Sequence, residues 1–177
     1  SGKFMASYRQ SRDKRDPIAR IRGWGHRNAG IRYHDKVERS KDSPYVFPHV
    51  RQAIQEAFNR AGIADVKQLD GIETHDCFAM TEYMAIDHFG ITAPGESWRA
   101  IADGSVAFGG RLPINASGGL IGCGHPVGAT GARMLLDASR QVTQRADAMQ
   151  IAGAEQIATL NIGGSCATVC SFVVGRD

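Results

Sequence analysis

Apolar and basic residues alternate along Ile18-Ala-Arg-Ile-Arg-Gly-Trp24, a period of two that predicts a strand with one wet face. Ahead of it, residues 7–14 are polar and read as a short helix that Asp16-Pro17 ends. Residues 25–41 are polar throughout and read as loop. Asp42-Ser43-Pro44 is a helix-start signal, and residues 46–61 keep helical periodicity until Gly62 closes it. Residues 66–74 read as a loop running into a second strand. An amphipathic helix is predicted over 79–89, ended by Gly90, and a short one over 96–102, ended by Asp103-Gly104. A long helix is predicted over 128–149, with Ala132, Leu135, Leu136 and Val142 on one side. Two strands follow, 157–162 and 167–174, joined through Gly163-Gly164-Ser165 as a hairpin. Strands alternating with helices and closed by a hairpin predict an α/β domain with a mixed sheet.

The chain has 177 residues, enough for one domain with a real core. No apolar run is long enough to span a membrane, and no signal-peptide pattern opens the chain. The net charge of +3 hides an asymmetry: residues 1–51 hold thirteen Lys/Arg and five Asp/Glu (+8), and the rest hold eight and thirteen (−5). A basic segment can face nucleic acid or the phosphates of a ligand. No aromatic interleaving or nucleic-acid motif accompanies it, which favours a solvated leader and no nucleic-acid partner. Cys77, Cys123, Cys166 and Cys170 form no CxxC pair and no zinc spacing, so no metal site is expected and a reduced, cytoplasmic setting is. Cys166 and Cys170, at i and i+4, read as core.

Three segments carry candidate chemistry. Residues 115–131, Asn115-Ala-Ser-Gly-Gly-Leu-Ile-Gly-Cys-Gly-His-Pro-Val-Gly-Ala-Thr-Gly131, hold six glycines and one histidine. Glycine at that density suits a backbone passing close to a ligand, and His125 on such a loop is a candidate acid or base. His75-Asp-Cys-Phe78 falls between a predicted strand and a predicted helix, where a reactive thiol is placed; a buried cysteine beside a core phenylalanine is the plainer alternative. Asn161-Ile-Gly-Gly-Ser165 presents consecutive backbone N–H groups, either an oxyanion hole or only a tight turn.

These motifs, in this order, resemble thiolases. Asn-x-Ser-Gly-Gly leading into Gly124-His125-Pro126 resembles the family's Gly-His-Pro loop, and Ile21-Arg-Gly-Trp-Gly25 resembles the opening of its C-terminal half. His75-Asp-Cys-Phe78 resembles the motif of the sterol-carrier-protein type, where other thiolases have Asn-Glu-x-Phe. Asn161-Ile-Gly163 stands where most thiolases have Cys-x-Gly. The resemblance implies a C-terminal thiolase-fold half, a mixed sheet of about five strands flanked by helices. It implies that His125 activates the nucleophilic cysteine and that His75 and the Gly163 N–H help an oxyanion hole. Cys77 takes the acid/base role that Asn161 cannot fill. Asn115, Ser117, Gly118, Phe78, Pro126 and Asn161 are the implied substrate-binding positions.

Thiolases place the acylated cysteine in an N-terminal half, which this sequence lacks. Phe4-Met-Ala-Ser resembles the last strand of that half, so residues 1–16 are expected to be its tail and 17–177 the C-terminal domain. The chain opens Ser1-Gly2-Lys3 without methionine, and the natural protein is expected to extend upstream or be split. The resemblance further implies coenzyme A thioesters as substrates with no other cofactor, the N-terminal half as partner, and a homodimer or tetramer at full length. A thiolase-like carbon–carbon lyase working with a small acyl-CoA-binding partner protein, and a non-catalytic thiolase-like module, are the alternatives.

Overall fold

The computed structural model describes residues 2–11 and 16–177. Its centre is a four-stranded sheet in the order β1-β4-β3-β2, formed by β1 (Ala19–Asn28), β2 (Gly71–Thr74), β3 (Gln156–Gly163) and β4 (Thr168–Arg176). β4 runs antiparallel to both neighbours, and β2 and β3 are parallel. The expected hairpin is therefore present, and the sheet is mixed.

The helices are α1 (Gly2–Gln10), α2 (Tyr33–Ser40), α3 (Pro48–Ala61), α4 (Ala79–Phe89), α5 (Ser97–Ala102), α6 (Gly119–Cys123) and α7 (Thr130–Val142). Side chains of β4 alternate between two cores: Val169 and Val173 join a cluster with Ile54 and Phe58 of α3, while Val174 joins Ala138 and Val142 of α7. The sheet is thus covered on both faces, as a parallel pair of strands requires. α3 lies directly on β1. A Cβ on Gly23 would fall 2.0 Å from Ala57 O, and one on Gly25 would fall 1.9 Å from Ala53 O. Two glycines facing two alanines let helix and strand backbones touch. The alternation over 18–24 does not put its apolar residues inside: Ile21 and Trp24 are about half exposed, and Gly23 and Gly25 are the buried positions.

Several expectations are corrected. The sheet has four strands rather than about five, and residues 4–7, expected to be strand, belong to helix α1, where Phe4 and Tyr8 stack one turn apart at 5.8 Å. The helix expected over 7–14 overlaps the end of α1, and residues 12–15 lie outside the described residues. The stretch 25–41 is not all loop: β1 runs to Asn28, and α2 follows, burying only Lys36, whose ammonium donates to Ile31 O at 2.9 Å. The long helix is shorter, since Gln144 takes a φ of +58° and the Gln141 and Gln150 amides bond the turn that follows. Its buried side is Met134, Ala138, Gln141 and Val142, with Ala132 and Leu136 exposed. Cys166 lies in the turn before β4 at a φ of +63°.

Candidate active site

The C-terminal ends of parallel strands β2 and β3 point the same way, which is where open α/β sheets place their sites. The His75 N–H donates to Leu160 O at 2.9 Å, so the ladder continues one residue past β2 and holds His75 beside the end of β3. Three residues on, Phe78 caps α4, which leaves Cys77 and Phe78 exposed at the turn. The glycine loop brings His125 to the same place from the other side. The rings of His75 and His125 meet edge to face, with centroids 4.9 Å apart and planes at 89°. A cavity of about 710 Å³ opens here, lined by His75, Cys77, Phe78, His125, Asn161 and Gly163. Phe47, Met84, Val127 and Ile162 give its walls an apolar character.

His125 is oriented by Thr130, whose hydroxyl lies 2.7 Å from Nδ1 and donates onward to Pro126 O. The Nδ1–H therefore donates to Thr130, and Nε2 of the neutral ring keeps its lone pair as a base. Burial holds His75 below the ordinary histidine range, and His125 acts in the same direction, with Asp76 opposing. His75 is therefore a neutral imidazole at neutral pH, able to donate a hydrogen bond without carrying charge.

Both thiols expected in the core differ from each other. Cys166 is buried, and its carbonyl bonds the ring of buried His49 at 2.9 Å; burial pushes its thiol up to about 11. Cys170 is only half-buried, faces Asn161 across the β3–β4 pair and lines the cavity. It is not a core residue, because its pairing with Asn161 sets it at the cavity. The Asn161 amide itself is 3.0 Å from Met134 Sδ.

The remaining expected positions do not line the cavity. Asn115 is turned to the end of β2: its Oδ1 accepts from Thr74 N at 2.7 Å, and its Nδ2 donates to Glu82 at 2.9 Å. Ser117 is buried and donates through Oγ–H and N–H to Glu73, at 2.5 and 3.1 Å. Gly118 caps α6 at a φ of +95°, and Pro126 is an exposed member of the loop. These residues shape the loop behind the cavity. Sequence reasoning passed over the groups that hold it: Thr130, Glu73, Glu82 and Arg133, which donates to Asp137 at 2.7 Å. Glu73 did leave a signal, an acid next to Ile72 inside a predicted strand. Burial pushes the carboxyls of Glu73, Glu82 and Asp137 up, against the hydrogen bonds from Ser117 and Asn115 and the charge of Arg133.

A mixed α/β layer with a Gly-His-Pro loop set against a His-Asp-Cys-Phe turn defines a protein of the thiolase class. The family described as thiolase C-terminal domain-like matches residues 31–176, and the chain belongs to it. It is 36% identical over 124 residues to an acetyl-CoA acetyltransferase of Methanothermobacter thermautotrophicus, covering 70% of this chain and 32% of that protein. It is 32% identical over 126 residues to sterol carrier protein 2 of Gallus gallus, covering 71% of this chain and 23% of that one. The chain thus spans about a third or less of these relatives. The solved structure of an Ltp2-ChsH2(DUF35) aldolase shares the fold, with a TM-score of 0.74 and 22% identity over 92% of this chain and 40% of that one.

Proposed function

We propose that this chain is the C-terminal half of a sterol-carrier-protein-type thiolase that transfers acyl groups between coenzyme A thioesters. The observation that carries the reading is the edge-to-face pair of His75 and His125 in one cavity with Cys77 and Gly163. His125 takes the proton of a cysteine supplied by the N-terminal half. That thiolate attacks the C3 carbonyl of a 3-ketoacyl-CoA, and the oxygen gains charge against the His75 N–H and the Gly163 N–H. The C2–C3 bond breaks with its electron pair moving to C2, where the Cys77 thiol delivers a proton to give acetyl-CoA. Free coenzyme A then passes its proton to the Cys77 thiolate, and its sulfur displaces the enzyme cysteine. The shortened acyl-CoA leaves and His125 returns its proton. No metal or redox cofactor enters these steps. A cytoplasmic homodimer or tetramer is the setting that goes with the reading.

The test is thiolysis of acetoacetyl-CoA by the chain assembled with the N-terminal half. Cys77→Ala and His125→Ala are each expected to lose about 10²–10⁴-fold in kcat. Turnover by Cys77→Ala at the unsubstituted rate overturns the assignment of the thiol. The chain alone, without the nucleophile, is expected to lose on the order of 10⁶ in rate.

A second reading is favoured by Asn161, which carries no thiol where most thiolases have one, and by the aldolase named among the structures of this fold. In it a base removes the hydroxyl proton of a 3-hydroxyacyl-CoA. The C2–C3 bond breaks, C2 is protonated, and a carbonyl compound and a shorter acyl-CoA leave. Cleavage of a 3-hydroxyacyl-CoA in the presence of a small acyl-CoA-binding partner, with no thiolysis, decides for it.

A further inference from the structure

Asp76 stands between His75 and Cys77, yet its side chain turns away from solvent and is 3% exposed. Its Oδ1 accepts the Leu120 N–H at 2.6 Å. Its Oδ2 fills the place a side chain would take at position 119, since a Cβ on Gly119 would lie 2.2 Å from it. Gly119 also holds a φ of +62°, which side chains rarely adopt. Two further bonds run alongside, Thr74 N–H to Asn115 Oδ1 at 2.7 Å and Ser117 N–H to Glu73 Oε1 at 3.1 Å. Together they lace β2 and its exit to residues 115–120. Asp76 makes the bond furthest along both segments, one residue past His75 on one and five residues before His125 on the other.

We propose that Asp76 is a positioning residue: its carboxylate clamps the His-Asp-Cys-Phe segment to Gly119 and Leu120 and thereby sets the edge-to-face approach of His75 and His125. Position 119 must then be glycine to admit the carboxylate. The inference rests on the reading of the two histidines as one catalytic pair. A misplacement of about 1 Å in such a pair costs on the order of 10²-fold in rate. The charged and titratable neighbours bear on the readout. Burial lowers the His75 proton affinity, with His125 acting the same way and Asp76 opposing, and Glu82 is raised chiefly by burial and further by Asp76.

The experiment compares Asp76→Asn, Asp76→Ala and Gly119→Ala by two readouts. The first is the ring-to-ring contact and the His75 titration, followed by NMR in the chain itself. The second is kcat in the chain assembled with the N-terminal half. Asp76→Asn keeps an oxygen for the Leu120 N–H, so the ring contact stays and the His75 midpoint moves down with the lost charge. Asp76→Ala is expected to lose the ring contact and about 10²-fold in kcat. Gly119→Ala, which leaves Asp76 in the sequence but expels its carboxylate, is expected to do the same, and it carries the test where Asp76→Ala does not fold. A ring contact and midpoint unchanged in Gly119→Ala or Asp76→Ala overturn the proposal. A contact that depends on Asp76 in a protein that turns over no coenzyme A thioester upholds the positioning role and overturns the functional reading instead.

Discussion

Glu73 is a carboxyl enclosed on a strand that is buried along its whole length, with Ser117 as the donor to both of its oxygens. Two hydrogen bonds do not offset the loss of water, and its proton affinity is raised by burial above the free carboxyl value of 4.5. A group whose folded value lies above its unfolded one contributes stability below the unfolded value and loses it as pH rises through the folded value. Glu73→Gln keeps the acceptor for the Ser117 N–H, and the Ser117 hydroxyl can turn to accept from the new amide. Its unfolding free energy relative to the unsubstituted chain is therefore expected to rise as pH climbs from about 4 to about 7, measured by denaturant melts across that range. A flat difference counts against the burial argument. At this scale His125 is legible from its loop, because proline and glycine around a histidine leave little else for the segment to do. Its partner Thr130 is not, because a threonine at a helix start has many uses and only the fold shows which one it has.

Helix α3 and strand β1 meet through atoms that are not there. The oxygen atoms of Ala53 and Ala57 occupy the space over Gly25 and Gly23. Gly25→Ala would drive a methyl group into backbone that cannot rotate away, and is expected to cost roughly 1–3 kcal/mol or more. Gly122 is the control. It lies within α6, and a Cβ there meets nothing within 4 Å. Gly122→Ala is expected to be neutral or to stabilise by about 0.5–1 kcal/mol. Chemical denaturation of the two variants side by side tests the contrast, and equal effects would refute the close approach. Element periodicity foretold α3 and β4 well, since each has an apolar face and a glycine at an end; α4 and β3 stand where expected, but α4 buries the continuous run Ala85–Phe89 and β3 is buried on both faces. It failed for α2, whose exposed, charged surface carries no apolar stripe to read. It misjudged the start of the chain too, where a Phe4–Tyr8 pair that suits a helix was read as strand.

The whole molecule leaves apolar surface around its cavity. Phe78 and Val127 line the cavity yet are 73% and 80% exposed, and Met80 beside Phe78 is 63% exposed. A rim of this kind marks an interaction surface. In the proposed reading it faces the N-terminal half. The chain by itself is accordingly expected to self-associate with rising concentration, seen in sedimentation velocity. A Phe78→Ser and Val127→Ser double variant is expected to stay monomeric at concentrations where the unsubstituted chain does not. Self-association undiminished by the double variant would place the sticky surface elsewhere.

The sequence by itself determined the α/β class, the closing hairpin and the three segments that meet at the site. Those are local properties: hydrophobic period, turn chemistry, and motifs in which glycine, proline and histidine leave few conformations open. Only the tertiary structure decided which side chains face the cavity and which hold the loop behind it. Asn115 and Ser117 read as ligand contacts, and the fold turns them toward the half-buried carboxyl of Glu82 and the buried one of Glu73. Cys170 read as core, and the register against Asn161 brings it to the cavity. The direction of a side chain follows from strand pairing and from the depth at which a loop packs, and both are set by residues far away in the chain.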